Sequence, residues 1–425
     1  MTDRRTFLKT AGVLAASLPL AHHLVPNAAA AAPAAPTDKW SALRNQFTLD
    51  PDYAHFANFL IASHPKSVED AINYYRAELD RNPAKWLDWD SQIEWKREHE
   101  VREWAARYLD VKPAQIALTG STTEGLVMIY GGLRVNADQE ILTTAHEHFS
   151  TRNTLNFRVK REGTQVRKIT LFKDPRQVSS DEVLGTIERN IRPQTRVLGM
   201  TWVQSGSGVK LPVKEIGELV REHNRQRDEK DRIIYVIDGV HGFGVEDMNF
   251  ADFNCDYFIA GTHKWMFGPR GTGIICAASE QMNDLIPTFP TFSENNSFGT
   301  TMTPGGYHAF EHRWALGKAF ELHLALGKAD VQARIHQLNS YLKQRLQEHP
   351  GIELVTPQSP QYSSGFTFFR IKGQDCDAVA AYLNQNRIVV DAVDRDVGPV
   401  VRTAPGLLNT EQEIDRAVAV LTKKY

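Results

Sequence analysis

The alternation of short apolar runs with amphipathic stretches between about residues 65 and 280 most constrains the fold of this chain. Such alternation is typical of an α/β domain built on a mostly parallel sheet. Seven runs have the length of strands and are bounded by Gly, Asp, Lys or Pro: 116–119, 141–144, 166–171, 197–203, 233–237, 257–260 and 272–277. The sequence therefore predicts a large α/β domain over residues 66–315 with a mostly parallel, seven-stranded sheet.

The pattern changes after Phe320, where a long helix leads into short strands and helices. Strands are predicted at 352–355, 365–371 and 388–393, and helices near 378–384 and over 410–425. The last helix begins with Thr410 and Glu413, which are spaced as a capping box. We therefore expect a smaller α+β domain over residues 316–425.

The composition argues against several classes of protein. The 425 residues are 42% hydrophobic and 24% charged, as in an ordinary globular protein, and 49 Lys and Arg stand against 51 Asp and Glu. A net charge of -2 lacks the basic excess that a nucleic-acid partner requires. Three widely spaced cysteines, Cys255, Cys276 and Cys376, build neither a disulfide framework nor a thiolate metal cluster. We expect buried free thiols and no metal site.

The first 32 residues have the layout of an export signal, with a charged head, a mildly apolar stretch and a run of small residues. Within the head, Arg4-Arg5-Thr6-Phe7-Leu8-Lys9 resembles the twin-arginine (Tat) signal. A chance arginine pair before a general secretory signal is the alternative. The segment predicts export of the folded protein to the periplasm by the Tat machinery, with no membrane anchor. Export after folding suits a cofactor that only the native state binds.

Lys264 is the first candidate catalytic residue. It lies in Gly261-Thr262-His263-Lys264-Trp265, in the turn after a predicted strand, where ligands collect in open α/β sheets. A desolvated lysine has a lowered pKa, which makes its amine a nucleophile toward a carbonyl group. The alternative is a structural loop lysine.

Asp238 is the second candidate, because the apolar run 233–237 delivers it to a strand end and His241 follows three residues later. A carboxylate there, near Lys264, fits a heterocyclic aldehyde cofactor whose ring nitrogen stays protonated. Asp residues at strand ends are also common turn formers.

Thr119-Gly120-Ser121-Thr122-Thr123-Glu124-Gly125 follows a strand and opens a helix. Ser121 and Glu124 are spaced as a capping box, and the N–H groups at a helix N-terminus attract an anion such as a phosphate. An ordinary helix cap is the alternative.

Together these three motifs resemble the fold type I pyridoxal-phosphate (PLP) enzymes of the class V aminotransferase branch, which includes cysteine desulfurases and isopenicillin N epimerase-like proteins. The resemblance implies PLP as the cofactor, Lys264 as its covalent anchor, Asp238 as the partner of the ring nitrogen and His241 as a contact of the ring hydroxyl. The residues that it assigns to the phosphate are Ser121, Thr122, Thr123, Thr262 and His263.

The same resemblance extends beyond these motifs. In Thr144-Ala145-His146-Glu147-His148-Phe149 it implies that His148 stacks on the ring and joins Lys264 and Asp238 as a catalytic residue, with His146 as the second choice. In Val401-Arg402-Thr403 it implies that Arg402 clamps the substrate α-carboxylate. Residues 33–65 resemble the segment that lines the active-site mouth.

The chain departs from the family pattern in two places. Gln204-Ser205-Gly206-Ser207-Gly208 stands where the family often has Asn-x-Thr-Gly. The segment that reaches the phosphate from the neighbouring subunit of a homodimer matches either Gly299-Thr300 or 310–314.

Class V enzymes catalyse several reactions at the substrate Cα, because PLP withdraws electrons from whichever bond stands perpendicular to its ring. Sulfur removal is disfavoured, since Cys255 and Cys276 fall in predicted strands and Cys376 in a turn with no activating neighbour. Tat export joined to a class V body resembles the periplasmic enzymes that tailor pyoverdine siderophores.

That resemblance implies a small-molecule or peptide siderophore substrate, whose chromophore-linked glutamate is converted to a succinamide by oxidative decarboxylation. An aminotransferase or epimerase acting on a related amino-acid head is the alternative. A non-catalytic binding protein on a PLP-enzyme scaffold is a second alternative.

Overall fold

Seven strands form the central sheet of the computed structural model, which describes residues 38–88, 90–293 and 296–425. The predicted export signal lies outside the described residues. The strands are β2 (Ile116–Thr119), β3 (Glu140–Thr144), β4 (Gln165–Ile169), β5 (Thr195–Thr201), β6 (Ile234–Asp238), β7 (Tyr257–Gly261) and β8 (Gly273–Ala277), in the order β2-β8-β7-β6-β5-β3-β4. Only β8 runs antiparallel to its neighbours. The predicted mostly parallel, seven-stranded sheet is confirmed.

Both faces of this sheet are buried, as its apolar strands require. In β6, Ile234 and Val236 pack into one apolar cluster, while Tyr235 and Ile237 pack into a second, larger one. Alternate residues of a strand point to opposite faces. A continuous apolar run therefore indicates a strand covered by helices on both sides.

The helices precede, separate and follow the strands. They are α1 (Lys39–Arg44), α2 (Lys66–Arg81), α3 (Pro83–Trp86), α4 (Ile93–Leu109), α5 (Thr122–Gly132), α6 (Phe149–Glu162), α7 (Ser180–Asn190), α8 (Val213–Asn224), α9 (Phe250–Phe253), α10 (Phe298–Thr301), α11 (Phe310–Leu326), α12 (Lys328–Gln347), α13 (Cys376–Gln385) and α14 (Glu411–Lys424). Short 3-10 turns occur at Pro113–Gln115, Pro175–Gln177 and Glu229–Asp231. No helix among the described residues is long and apolar enough to cross a bilayer.

A four-stranded antiparallel sheet stands in the C-terminal part of the chain, with its own apolar cluster. Its strands, in the order β12-β13-β10-β9, are β9 (Ile352–Leu354), β10 (Thr367–Ile371), β12 (Asp391–Arg395) and β13 (Gly398–Thr403). A separate parallel pair joins β1 (Ala54–His55) to β11 (Ile388–Val389). The N-terminal segment is thus tied to the C-terminal part of the chain.

Several predicted boundaries differ from the structure for local reasons. The predicted strand 388–393 is divided at Val390, whose N–H donates to the Asn384 side chain (3.3 Å). The helix expected after Phe320 already begins at Phe310 and spans the predicted domain boundary at 315/316. Gly327, at φ 80°, separates it from α12. The division into two domains stays a prediction.

Candidate active site

The carboxyl ends of the parallel strands bring most of the predicted site residues together. Thr201 and Asp238 are paired at the ends of β5 and β6, and Lys264 follows three residues after the end of β7. One cavity at this edge is lined by Ser121, Thr122, Thr123, His148, Ser150, Thr201, Ser205, Asp238, Val240, His241, His263 and Lys264. It contains every predicted site residue except Thr262 and Arg402. A larger cleft beside Asp110 and Arg232 contains none of them.

The Lys264 amine is poised to act as a nucleophile. Burial lowers the pKa of Lys264 to about 8; Asp238 opposes this shift, and Arg402 and Arg395 add to it. Among the described residues, Nζ has no hydrogen-bond or ion-pair partner. A larger fraction of this amine is therefore neutral at pH 7 than of an exposed lysine, and no contact has to be broken before it reacts.

Asp238 supplies a buried carboxylate at the floor of the cavity. Its Oδ1 accepts a hydrogen bond from the N–H of Val240 (3.2 Å). Burial raises the pKa of Asp238 to about 6, against the opposing effects of the Val240 N–H and of Lys264. The carboxyl group is therefore mostly ionised at pH 7 and can hold a proton on a ring nitrogen.

Glu147 is a second buried carboxyl group near Asp238, and no role for it was predicted from the sequence. The hydroxyls of Thr144 and Thr201 lie 2.6 and 2.5 Å from its two oxygens. Burial, opposed by the two threonine hydroxyls and assisted by the charge of Asp238, raises the pKa of Glu147 to about 7. Because Glu147 retains its proton more readily than Asp238, the negative charge of the pair resides on Asp238.

The N-terminus of α5 forms the predicted anion site. The Ser121 hydroxyl accepts a hydrogen bond from the N–H of Glu124 (3.1 Å). The first backbone bond inside the helix runs from Gly125 N to Ser121 O (3.1 Å), so the preceding N–H groups of Thr122 and Thr123 are not used within the helix. They carry the positive end of the helix dipole, which suits a phosphate.

His148 caps helix α6 at the cavity wall. Its Nδ1 accepts a hydrogen bond from the N–H of Ser150 (3.2 Å), which assigns the ring proton to Nε2 in the neutral form. Burial lowers the pKa of His148 to about 3, and the charges of Arg395 and Lys264 contribute. An uncharged imidazole in this position suits stacking on an electron-poor ring.

His146, the second choice for stacking, lies outside the cavity lining. Its Nδ1 is 2.6 Å from an oxygen of Asp396, and its ring stacks on Phe172 with the centroids 4.2 Å apart. The stacking assignment to His146 is therefore corrected, because that ring is already covered.

These residues fit PLP. Burial lowers the pKa of His241 well below its usual value, and its Nδ1 has no partner within the described part of the chain. The Nδ1 of His263 is also buried without a partner there. The cofactor has a ring hydroxyl, a phosphate and an aldehyde. These groups are matched by the two unpaired histidine nitrogens, by the unused N–H groups of Thr122 and Thr123, and by the unpaired Lys264 amine. When bound, PLP supplies an electron sink for bond breaking at the substrate Cα.

The side chains of Thr262 and Arg402 contact other residues of the chain, and their predicted binding roles stay predictions. The Thr262 hydroxyl is fully buried, 2.6 Å from that of Thr272, so it braces the loop instead of facing a phosphate. The guanidinium of Arg402 donates from Nε and Nη2 to the two oxygens of Asp391 (2.8 and 2.5 Å) and from Nη1 to Ser205 O (3.0 Å). The Nε–Nη2 edge of the guanidinium, which was predicted to bind a substrate carboxylate, is thus bound to Asp391.

Several residues of the cavity wall were not predicted from the sequence, including Ser150, Thr201 and Val240. Ser205 lies in the segment that departs from the family pattern, and that departure was the available signal. Gln204 beside it points away, because its side chain accepts from Ser207 Oγ (3.1 Å). The charge of Arg395 contributes to the lowered pKa of both His148 and Lys264, and Arg395 lies in a hairpin that carries no sequence motif.

The family model for class-V aminotransferases matches residues 62–416. The chain belongs to the class-V aminotransferase family. It is a PLP-dependent enzyme. Among the described residues, no group of three His, Cys, Asp or Glu side chains could hold a metal ion.

Relatives of this class-V enzyme match along most of their length. The isopenicillin N epimerases of Streptomyces clavuligerus and Amycolatopsis lactamdurans are 26% and 27% identical to it, over 90% of this chain and 97% and 98% of theirs. A probable cysteine desulfurase of Vibrio cholerae is 23% identical over 84% of this chain and 90% of its own.

Solved structures share the fold. A lysine-to-alanine mutant of C-DES with glycine covalently linked to the PLP cofactor superposes with a TM-score of 0.80, at 20% identity over 89% of this chain and 98% of that one. The apo cysteine desulfurase of Thermococcus onnurineus NA1 gives a TM-score of 0.76, at 18% identity over 90% and 97% of the two chains. Fold type I is therefore confirmed.

Proposed function

We propose that this class-V enzyme acts in the periplasm on a pyoverdine siderophore precursor and converts its chromophore-linked glutamate to a succinamide by oxidative decarboxylation. The observation that carries PLP chemistry at Cα is the unpaired Lys264 amine sharing one cavity with the ionised Asp238. The Tat-like segment Arg4–Lys9 supports the periplasmic location, and its pairing with a class-V body supports the siderophore substrate.

The reaction balances with molecular oxygen as the oxidant. A head R–CH(NH2)–COOH and one O2 give R–CO–NH2, one CO2 and one H2O. The Cα–carboxylate bond breaks, Cα is oxidised to the amide level, and O2 is fully reduced. Of the four oxygen atoms on each side, one ends in the amide and one in water. The other two end in CO2, which also takes the carboxylate carbon.

The residues of this chain have separate tasks in that reaction. Lys264 binds the cofactor and, once a substrate amine replaces it, is free to move protons at Cα. Asp238 holds the ring-nitrogen proton, while Glu147 remains the more strongly protonated of the two carboxyl groups. His148 and His241 stay uncharged, so they add no positive charge beside the ring.

The test is incubation of the purified mature protein, loaded with PLP, with the chromophore-linked glutamate precursor. We expect a product lighter by one CH2O unit, one O2 consumed and one CO2 released per product. Lys264→Ala is the matched control and should give no product. A precursor whose mass is unchanged under air would refute the oxidative decarboxylation.

Epimerisation or transamination of a related amino-acid head is the second candidate, favoured by the two relatives named isopenicillin N epimerase. An epimerase leaves the mass unchanged in H2O but exchanges the Cα hydrogen in D2O. An aminotransferase requires a keto-acid acceptor and leaves a keto acid without consuming O2. Mass spectrometry with and without an added keto acid separates these outcomes.

Sulfur removal is not supported, although cysteine desulfurases are among the relatives. The three cysteines are buried, and burial raises the pKa of each thiol. Cys376 begins helix α13 instead of lying in the predicted turn, and none of the three lines the cavity. A thiol held in this way provides no mobile thiolate.

A homodimer completes the proposal, with Gly299-Thr300 or residues 310–314 reaching the phosphate of the neighbouring subunit. Size-exclusion chromatography with light scattering should give twice the mass of the mature chain. Mixing Lys264→Ala protein with a Thr300→Ala variant should restore partial activity if Thr300 acts across the interface. A monomer of full activity would contradict this part of the proposal.

A further inference from the structure

His323 is a fully buried histidine that belongs to none of the sequence motifs and does not line the cavity. It lies near the C-terminal end of helix α11, and its Nε2 is 3.0 Å from the backbone oxygen of Trp265. Trp265 directly follows Lys264 in the chain. A side chain of this long helix therefore contacts the backbone of the loop that carries the candidate nucleophile.

The contact itself assigns the proton on the His323 ring. A backbone oxygen only accepts hydrogen bonds, so Nε2 is the donor. Burial lowers the pKa of His323 to about 4, although the Trp265 carbonyl group opposes that shift. The ring is therefore neutral at pH 7, and its Nδ1 is buried without a partner in the described part of the chain. His323 thus acts as an uncharged donor to one oxygen.

The backbone around Lys264 is held at four consecutive carbonyl oxygens. The four hydrogen bonds run from Gly268 N to Thr262 O (2.8 Å), from Ala62 N to His263 O (3.0 Å), from Phe267 N to Lys264 O (3.1 Å) and from His323 Nε2 to Trp265 O (3.0 Å). Only the last of these donors belongs to a side chain. The bond from His323 is therefore the member of the set that a substitution can remove without changing the backbone.

The peptide group between Trp265 and Met266 stands in a confined place. A Cβ on Gly244 would lie 2.9 Å from the carbonyl carbon of Trp265 and 3.0 Å from Met266 N, so the loop after β6 packs directly on this peptide. Phe267 has a left-handed backbone conformation (φ 55°), which is unfavourable for a bulky residue, and its ring centre is 5.8 Å from that of His323. The loop thus bends sharply just after the peptide that His323 holds.

The Lys264 amine has no contact of its own that fixes its position. Its Nζ has neither a hydrogen-bond nor an ion-pair partner among the described residues, although the side chain lines the cavity. Its position is therefore set by its backbone and by the walls around it. Loss of the bond to Trp265 O would free the adjacent peptide and give the amine more positions, fewer of which bring it to an aldehyde.

We propose that His323 is a positioning residue for Lys264, which holds the amine ready for the PLP aldehyde by donating from Nε2 to Trp265 O. His323 touches neither cofactor nor substrate and acts through the backbone of the lysine loop. The inference requires only that PLP attaches to Lys264. It therefore applies to any reaction at the substrate Cα and does not depend on the proposed siderophore substrate.

The test is a double-mutant cycle between His323 and Lys264, with PLP binding to the cofactor-free protein measured by calorimetry. Glutamine and methionine have nearly the same shape, but only glutamine places a donor near the Nε2 position. In the protein that retains Lys264, His323→Met should raise Kd for PLP by about 3- to 10-fold, the value of one hydrogen bond, and slow the appearance of the visible absorption band. His323→Gln should keep most of the wild-type affinity.

The same substitutions in the Lys264→Ala background are the control. Without the amine, PLP is held only through its ring and phosphate, so His323→Met should change Kd by less than about twofold. A general loss of structure would weaken PLP binding equally in both backgrounds. The difference between the two backgrounds measures the coupling between the histidine and the lysine.

Equal weakening in both backgrounds would overturn the inference, because His323 would then support the fold and not the amine. A His323→Gln protein as weak as His323→Met would also overturn it, since the donor would not matter. So would a wild type that binds PLP no more tightly than Lys264→Ala.

His323→Asn replaces the methionine variant if the latter does not fold. Its amide ends near the Nδ1 position and falls short of Trp265 O. It should bind PLP more weakly than His323→Gln when Lys264 is present and equally well in the Lys264→Ala background, and any other result overturns the inference.

Discussion

Glu147→Gln should change the pH dependence of stability in a way that reveals the protonation of the buried carboxyl beside Asp238. The pKa of Glu147 rises from 4.5 to about 7 in the folded chain, chiefly through burial. Between these values the unfolded chain loses this proton while the folded chain keeps it. The free energy of unfolding of the wild type therefore falls as pH rises, by about 1.4 kcal/mol per unit.

The magnitude follows from the width of that interval. Over 2.5 units the loss amounts to about 3 kcal/mol, most of it between pH 5 and pH 8. Glutamine has the shape of the protonated side chain, so its amide can keep contacts to Thr144 and Thr201 but does not titrate. We expect the variant to match the wild type near pH 4.5 and to exceed it by about 3 kcal/mol at pH 8.

Urea unfolding followed by tryptophan fluorescence at pH 5, 6, 7 and 8 measures this difference. Titrating groups that do not interact with Glu147 cancel when the variant is subtracted from the wild type at each pH. The exposed Glu188→Gln variant in α7 is the control for replacing a glutamate by glutamine away from the cavity. The reasoning is refuted if the difference for Glu147→Gln is independent of pH, or if the wild type becomes the more stable protein as pH rises.

Four further predictions concern the cofactor, the cysteines and export. Ser121→Ala removes the hydrogen bond that caps Glu124 N, so it should lower the free energy of unfolding by about 1 kcal/mol and weaken PLP binding. Thermal unfolding and PLP titration measure the two effects, and unchanged values would contradict the anion site at the N-terminus of α5. Asp238→Ala should lose PLP on dialysis, seen as a fall in visible absorption, whereas full retention would argue against its role. Cys376→Ala should leave turnover intact. If the wild type released sulfide from L-cysteine and Cys376→Ala did not, Cys376 would be a catalytic thiol and the prediction would be wrong. Replacing Arg4 and Arg5 by lysine should keep the protein in the cytoplasm, and unchanged periplasmic recovery on fractionation would exclude the Tat route.

Much of the fold was predictable, because strands buried on both faces must be apolar along their whole length. Ile234–Asp238 shows this, since its alternate residues supply two different clusters. The ends of strands were less certain. The predicted strand 197–203 ends at Thr201, since Val203 instead forms an isolated bridge with Lys210.

The candidate site was predictable where chain neighbours carry the chemistry. Asp238 ends β6 and Lys264 lies three residues after the end of β7, and parallel strands bring their carboxyl ends to one edge of the sheet. Ser121 was also predictable, because the residues of a helix cap have a fixed spacing along the chain. The structure places all three in one cavity.

Side-chain pairing was not predictable from such signals. Arg402 has the expected position on β13, but Asp391 of the adjacent strand takes its guanidinium. Thr262 has the expected place in the loop, but its side chain turns toward Thr272. Both outcomes depend on which residue stands across a strand pair or a turn.

The sequence alone determined the α/β architecture, the strand ends that meet, and the lysine and aspartate that would hold PLP, because periodicity and strand-end position are local properties of a chain. Only the tertiary structure decided the charge state of the site. Burial raises the pKa of Asp238 and Glu147 and lowers that of Lys264, and it results from segments hundreds of residues apart.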